Sequence, residues 1–190
     1  MKALYKYSSK VSVYALLLYT LTCFFRADYC FAENVELFPS QGSYQVGFSP
    51  RGQSLNVILN NINKSEQSIL IAAYSFTSKP IAQALLEAKE RGVRVMVIAD
   101  AKSNRSRHSV LPQLADNGIS VRLNNNYAIL HHKFMVIDGQ HIETGSFNYS
   151  VNAVNRNAEN VLVILNMPEL AKQYLEQWHK LWNEGTELGP

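Results

Sequence analysis

The chain has 190 residues, of which 47% are hydrophobic and 17% charged, and its formal net charge is +3. A chain of this length allows one domain of ordinary size. We find no internal repeat, low-complexity tract or linker, so we expect a single folded domain after the N-terminal segment. Both cysteines, Cys23 and Cys30, lie before residue 33. The remainder therefore has no thiol, which excludes a disulfide, a cysteine zinc site and a cysteine nucleophile there.

The N-terminal segment has the pattern of a secretory signal peptide. Three lysines fall among the first ten residues, residues 11–25 are apolar, and Cys30 and Ala32 place small side chains at the −3 and −1 positions of a cleavage site. We expect residues 1–32 to be removed and residues 33–190 to reach the periplasm or the exterior of a bacterium. The alternative is an uncut anchor, but a membrane-spanning helix needs about 20 apolar residues. No stable membrane association is expected after cleavage.

Removal of the leader changes the meaning of the net charge. Four of the 18 basic and one of the 15 acidic residues precede residue 33, which leaves 14 of each. Overall charge therefore does not indicate a nucleic-acid partner, but a basic face on a neutral protein can still bind a polyanion. We expect Arg105 and Arg107, in the polar loop at 100–107, to contact substrate. The alternative, scattered solvated charges, stays open.

Apolar periodicity predicts alternating strands and helices along the rest of the chain. Buried or amphipathic strands are predicted at 35–38, 44–48, 68–74, 93–99, 119–123 and 159–165. Helices are predicted at 52–64, from Pro80 to Gly92, at 108–116, and from a cap at Asn166 to Trp182. This alternation indicates an α/β fold, in which helices cover both faces of a mixed sheet as an α-β-α sandwich in one domain.

A predicted hairpin between Leu130 and Asn148 carries the densest set of reactive side chains. The apolar run at 134–137 predicts a buried strand, Asp138 with the following glycine predicts a tight turn, and residues 140–144 predict the returning strand. Period-two alternation would place His131 and Lys133 on one face of the first strand. It would place His132 on the opposite face, as a packing residue.

The hairpin would bring Ser146 and Asn148 back beside His131 and Lys133. This set suits a phosphate diester, because the ammonium, hydroxyl and amide can donate to its oxygens while the imidazole attacks phosphorus. A triad-like arrangement also needs an acceptor for the second imidazole nitrogen. Glu159, which opens an apolar strand, is the best candidate. Carboxylates are sparse around the motif, so we expect no metal and no other cofactor, and activity that persists in EDTA.

The spacing H-x-K-x4-D-x6-G-S-x-N, from His131 to Asn148, resembles the HKD signature of the phospholipase D superfamily. A short chain with one copy resembles the small bacterial Nuc-type endonucleases, and the resemblance runs from about Glu36 to Trp182. It implies a phospholipase D-like fold and a covalent phosphohistidine at His131. Asp138 belongs to the signature, but its place at the turn indicates that it holds the hairpin or a nearby charge pair.

One histidine cannot attack phosphorus from one side and protonate the leaving oxygen on the other. We therefore expect a homodimer whose two-fold axis brings two copies of His131 to one phosphate, and the resemblance implies the same arrangement. The predicted function is a non-specific endonuclease that cuts DNA, with RNA as a further candidate substrate. The alternatives are a phospholipase D-type hydrolase of phospholipid head groups, which would favour an exposed apolar rim, and a non-enzymatic nucleic-acid-binding module.

Overall fold

A computed structural model describes residues 42–188 of the chain. Its strands are β1 (Ser43–Ser49), β2 (Ser68–Ala73), β3 (Arg94–Asp100), β4 (Ser120–Asn124), β5 (Phe134–Ile137), β6 (His141–Gly145), β7 (Glu159–Leu165) and β8 (Thr186–Glu187). Its helices are α1 (Gln53–Lys64), α2 (Lys79–Glu90), α3 (Leu111–Asp116), α4 (Val151–Asn155) and α5 (Pro168–Glu184).

The strands form one mixed sheet in the order β1-β7-β6-β5-β2-β3-β4-β8. Strands β2, β3 and β4 run parallel to one another, and the remaining neighbours are antiparallel. Because β5 runs antiparallel to β2, the residues that precede β5 lie at the carboxyl end of β2. The segment that contains His131 therefore lies at the same sheet edge as the loops that follow β2 and β3.

Helices cover both faces of the sheet. One apolar cluster joins α1 to α4 to one face, with Ile62, Leu85, Leu114 and Ala153 among its buried members. The second cluster lies between α5 and the opposite face, where Trp178 is 1% exposed and its indole N–H donates to the carbonyl of Ile71. The predicted α-β-α sandwich with a mixed sheet is confirmed.

Local differences from the sequence-based expectations have physical explanations. The third helix begins at Leu111 instead of residue 108, because residues 101–110 form turns tied to the end of β3. The predicted cap at Asn166 is wrong: Met167 is the N-cap, and Asn166 has φ +59 while its N–H donates to the His141 ring. The predicted signal peptide and the strand at 35–38 lie outside the described residues.

One apolar stripe remains exposed on the edge strand β1. Tyr44, Val46 and Phe48 are 70%, 45% and 58% exposed and alternate along the strand. Tyr44 is paired with Ile164, which packs on the α5 side of the sheet, so the stripe lies on that same face. Within residues 42–188, no helix combines the length and the apolar character needed to cross a membrane.

Candidate active site

An open cavity of about 750 Å³ lies where β5 begins and β6 ends, beside the middle of α5. We call it the active-site pocket. It brings together His131, Lys133, Ser146, Asn148 and Glu159, five of the predicted site residues. The other residues in its wall are His132, Phe134, Thr144, Gly145, Gln173, Tyr174 and Gln177.

The His131 side chain is exposed in the pocket, and an aromatic ring packs against it. The ring of Tyr74, which follows β2, packs edge-on against the imidazole with centroids 4.5 Å apart. The ordered strand begins only at Phe134, so residues 131–133 do not follow the two-residue alternation of a strand. The prediction that His132 packs on the opposite face is therefore wrong. It lines the same pocket, with its ring edge-on to Phe134.

Lys133 is buried, and its ammonium turns back towards His131. The Nζ atom donates a 2.7 Å hydrogen bond to the His131 carbonyl and lies 5.2 Å from the Tyr74 ring centroid. Burial lowers the pKa of Lys133, and the nearby Glu159 carboxylate opposes this shift by favouring the charged form. An anion that enters the pocket would relieve this cost by supplying a second opposite charge.

Ser146 connects the end of β6 to Glu159. Its hydroxyl donates a 2.6 Å hydrogen bond to Glu159 and accepts one from the Asn160 backbone N–H. A serine hydroxyl has one proton to donate, so in this arrangement Ser146 has none left for a phosphate oxygen. Direct donation to substrate would require this hydroxyl to turn away from Glu159, so the substrate-binding role of Ser146 stays a prediction. Among the described residues, the buried amide oxygen of Asn148 has no hydrogen-bond partner.

Glu159 lies in the pocket but does not bind the His131 ring within one chain. Its two oxygens accept from Ser146 and from Asn157. Strand β6 separates β7, which Glu159 opens, from β5, which follows His131. Two strand spacings amount to about 10 Å, and this separation explains why the predicted contact to His131 is absent among the hydrogen bonds of residues 42–188.

Asp138 lies away from the pocket, at the other end of β5. Its carboxylate accepts hydrogen bonds of 2.8–3.3 Å from the backbone N–H groups of Glu66, Gln67 and Ser68. Asp138 has φ +53, as the first residue of the tight turn between β5 and β6. The structure thus gives Asp138 an anchoring contact to the loop before β2 and no contact with the other site residues.

The predicted substrate-binding arginines also lie outside the active-site pocket. Arg107 lines a second cavity, on the other side of the segment that contains Tyr74, and Arg105 is exposed in the same loop. Two aromatic residues close to the site in sequence, Phe76 and Tyr149, are fully buried against each other. They pack in the core and cannot stack on a base.

Sequence reasoning missed two residues that position the site. Asp100, at the end of β3, is 1% exposed and accepts a hydrogen bond from the Leu130 N–H and another from the Ser103 N–H. Burial raises the pKa of Asp100, but the backbone hydrogen bonds outweigh it and hold the pKa below its usual value. Asn104 binds the carbonyl groups of Tyr74 and Asp100 and the N–H of Phe76. The available signal was a lone carboxylate at the carboxyl end of a buried parallel strand.

A second buried acid lies beneath the segment that carries Ser146 and Asn148. Glu143 on β6 is fully buried, and the Tyr149 hydroxyl donates a 2.6 Å hydrogen bond to it. Desolvation raises the pKa of Glu143 to about 8, although the hydrogen bond from Tyr149 opposes the shift. The carbonyl of Tyr149 accepts from the N–H groups of Thr77 and Ser78. The pair therefore ties the end of the motif to the loop after β2.

Comparison with known proteins identifies the family. Residues 58–182 match the family model described as cardiolipin synthase, phospholipase D-like domain. The chain therefore belongs to the phospholipase D superfamily and is a hydrolase that acts on phosphodiester bonds.

The similarity to individual relatives covers most of the chain. A protein of Rickettsia conorii named phospholipase D is 36% identical over 139 residues, which cover 73% of this chain and 69% of the relative. The crystal structure of Nuc from Salmonella typhimurium, a phospholipase D family member, matches with a TM-score of 0.77 and 40% identity over 79% of this chain and 100% of Nuc. NucT from Helicobacter pylori matches with a TM-score of 0.71 and 27% identity, over 78% of this chain and 100% of NucT.

Proposed function

We propose that the chain is a metal-independent, non-specific endonuclease that hydrolyses DNA, with RNA as a further candidate substrate, at a site shared by two copies in a homodimer. The observation that carries this proposal is the pairing of an exposed imidazole, His131, with a buried ammonium, Lys133, in one open pocket. The choice of nucleic acid is supported by the similarity to Nuc over that protein's full length, since the motif resembles that of the Nuc-type endonucleases.

The pocket supplies what a phosphodiester needs in order to be cleaved. Lys133 neutralises charge on the phosphate oxygens, and Asn148 contributes its amide group. A nitrogen of His131 forms a bond to phosphorus while the bond from phosphorus to the leaving oxygen breaks. Water then attacks the phosphohistidine, which releases the phosphate monoester and restores His131. In this scheme Ser146 acts indirectly, by holding Glu159 beside the charged centre.

The leaving oxygen needs a proton from the side opposite His131. His132 is the candidate within the same chain, but partial burial and the neighbouring Lys133 and His131 lower its pKa. A lowered pKa leaves it neutral near pH 7 and makes it a poor proton donor. A second copy of His131, brought in by a two-fold axis, would stand on the side of the phosphate where the leaving oxygen needs its proton. That imidazolium would also recover its proton from the attacking water.

Mixing experiments test the shared site. Wild-type protein is exchanged with increasing amounts of His131→Ala protein, and activity is measured at a constant wild-type concentration. Mixed dimers would contain one His131 imidazole in place of two, so activity should fall as the variant is added. His132→Ala protein is the matched control, and its addition should not lower the activity in the same way. Constant activity throughout the His131→Ala titration would contradict the shared site.

A phospholipase D-type hydrolase of phospholipid head groups is the second candidate. It is supported by the relatives named phospholipase D and by the exposed stripe of Tyr44, Val46 and Phe48, on the α5 face of the sheet. Exposed apolar patches mark docking surfaces for membranes or proteins. The polar, asparagine-rich segments beside the pocket favour the nuclease instead.

One assay separates the two candidates. Purified protein is incubated in excess EDTA with plasmid DNA, with RNA, and with vesicles of phosphatidylcholine or cardiolipin. We expect nicked and fragmented nucleic acid and no released head group. Cleavage of the vesicles alone would establish the lipid enzyme, and activity that is abolished by EDTA and restored by Mg²⁺ would contradict a metal-independent site.

N-terminal sequencing of exported protein tests the inferred periplasmic or secreted location, for which we expect Glu33 at the first position.

A further inference from the structure

A second cavity lies at the same edge of the sheet as the active-site pocket. It has a volume of about 970 Å³ and is formed by the loops after β2 and β3 and by the start of α4. We call it the basic groove, after Lys79, Arg107 and His108 in its wall. None of its wall residues is acidic, and the others include six hydroxyl and three amide side chains. This is a lining of hydrogen-bond donors with excess positive charge.

The two permanently charged side chains in the groove are free to bind a ligand. Lys79 and Arg107 are exposed, and neither side chain forms a hydrogen bond or an ion pair with any residue in the part of the chain that the structure describes. Some cations elsewhere are engaged: Arg122 binds the carbonyl of Trp182, and Arg91 binds that of Ile62. Lys79 and Arg107 can therefore bind an anion without giving up an interaction inside the protein.

Two segments of the chain border both the groove and the active-site pocket. Tyr74 packs on His131, and the next residue, Ser75, already lines the groove. Asn148 lines the pocket, and Ser150, two residues later, lines the groove. Consecutive Cα atoms are about 3.8 Å apart, so one short step along either segment leads from the reacting centre into the groove. A ligand that reaches both cavities must therefore be an extended chain, such as a run of linked phosphates.

We propose that the basic groove binds the phosphates that flank the scissile phosphate on one side, as a sequence-independent track for a polynucleotide strand. This inference rests on the proposed nuclease function. Ammonium, guanidinium and hydroxyl groups bind phosphate oxygens without distinguishing bases. A phosphatidylcholine head group has a single phosphodiester and would leave the groove unused. Occupation of both the groove and the active-site pocket would therefore distinguish an extended polyanion from a single head group.

The test compares charge removal in the groove with the same removal elsewhere. Lys79→Gln/Arg107→Gln is compared with Lys64→Gln/Arg94→Gln, whose exposed side chains lie at the opposite end of the sheet. Both double variants lose two charges, and both are made in a His131→Ala background to prevent cleavage. Thermal unfolding establishes that each is folded. Binding is measured with fluorescein-labelled DNA strands of two, four, eight and twelve nucleotides at several salt concentrations.

With the groove residues unchanged, we expect the affinity of the His131→Ala protein for DNA to increase with strand length. The groove variant should bind the twelve-nucleotide strand roughly tenfold more weakly at low salt, and the slope of its salt dependence should decrease by about 0.7 for each phosphate that the variant no longer neutralises. The variant at the opposite end should keep the length dependence. Equal decreases in affinity in the two variants, or no decrease in either, would overturn the groove assignment.

Two further outcomes separate failure of the groove from failure of the nuclease proposal. If the His131→Ala protein with an intact groove binds none of the strands, and the wild type cuts none, the nuclease function itself is contradicted. The groove assignment is then contradicted as well. If the groove variant loses binding to cardiolipin vesicles and keeps its affinity for every strand, the groove holds lipid phosphate, and the polynucleotide track is overturned.

Discussion

The backbone N–H of Leu130 donates a 2.8 Å hydrogen bond to the carboxylate of Asp100, and Leu130 immediately precedes His131. The other oxygen of Asp100 accepts from the N–H of Ser103, in the loop that leads to the basic groove. A single buried carboxylate thus fixes the approach to the active-site pocket and the loop beside it. Asp100 acts through the backbone and is a positioning residue.

Asp100→Asn tests this role. The amide nitrogen would face one of two backbone donors and leave it unpaired, at a cost of about 1–3 kcal/mol. We expect the free energy of unfolding in urea to fall by that amount and kcat to fall more than KM rises, because His131 would lose its fixed position. Asp116→Asn, at an exposed position at the end of α3, is the control. Equal behaviour of the two variants would contradict a positioning role.

Asp138 should prove to be a stabilising residue. Asparagine tolerates the left-handed conformation at this position, so Asp138→Asn keeps the turn while it weakens the hydrogen bonds from the three N–H groups of Glu66, Gln67 and Ser68. We expect a loss of about 1–3 kcal/mol in unfolding free energy, measured by urea denaturation, with kcat per folded molecule within a few-fold of wild type. A well-folded variant with no turnover would show that Asp138 takes part in the chemistry.

Glu143 should make stability depend on pH. Its pKa is about 8 in the folded protein against 4.5 for the free group, so between these values the folded state holds a proton that the unfolded state has released. The contribution of Glu143 to stability is then greatest below pH 4.5 and is lost as the pH rises towards 8, by up to about 1.4 kcal/mol per pH unit. Glu143→Gln should flatten that slope in urea titrations at several pH values. An unchanged slope would mean that Glu143 is ionised when folded.

Gly145 should tolerate no side chain. A Cβ atom there would collide with the backbone carbonyl oxygen of Asn160, next to Glu159 on β7. Gly145→Ala should therefore cost about 1–3 kcal/mol and reduce kcat, since Ser146 and Asn148 would shift. Gly139→Ala is the matched control, because its φ is also positive but its Cβ would meet no atom. Thermal unfolding of both variants isolates the collision, and equal destabilisation would argue against it.

Strong periodicity made most of the fold predictable. The strand at 159–165 and the helix at 52–64 were predicted within one residue of their observed bounds, because apolar spacing along one chain records which face is buried. The two-residue strand β8 was not predicted, since Thr186 and Glu187 are exposed and pair only through their backbone with β4. Such an edge pairing leaves no pattern in the sequence.

The sequence predicted which residues belong to the site better than it predicted the contacts between them. Fixed spacing identified the side chains from His131 to Asn148, but it could not show that β6 separates Glu159 from His131 or that Ser146 donates to Glu159. His132 was assigned to the wrong face because the strand begins three residues after His131. Asp100 lies 30 residues before the Leu130 that it binds, and no local pattern connects the two.

The covalent intermediate can be observed directly. Wild-type protein is mixed with a DNA strand in EDTA, quenched within milliseconds in alkaline denaturant, which preserves phosphorus–nitrogen bonds, and digested for mass spectrometry. We expect a nucleotide adduct on the peptide that contains His131, formed and lost at rates consistent with turnover, and no adduct in His131→Ala protein. Full turnover without any adduct on His131 would contradict nucleophilic attack by this imidazole.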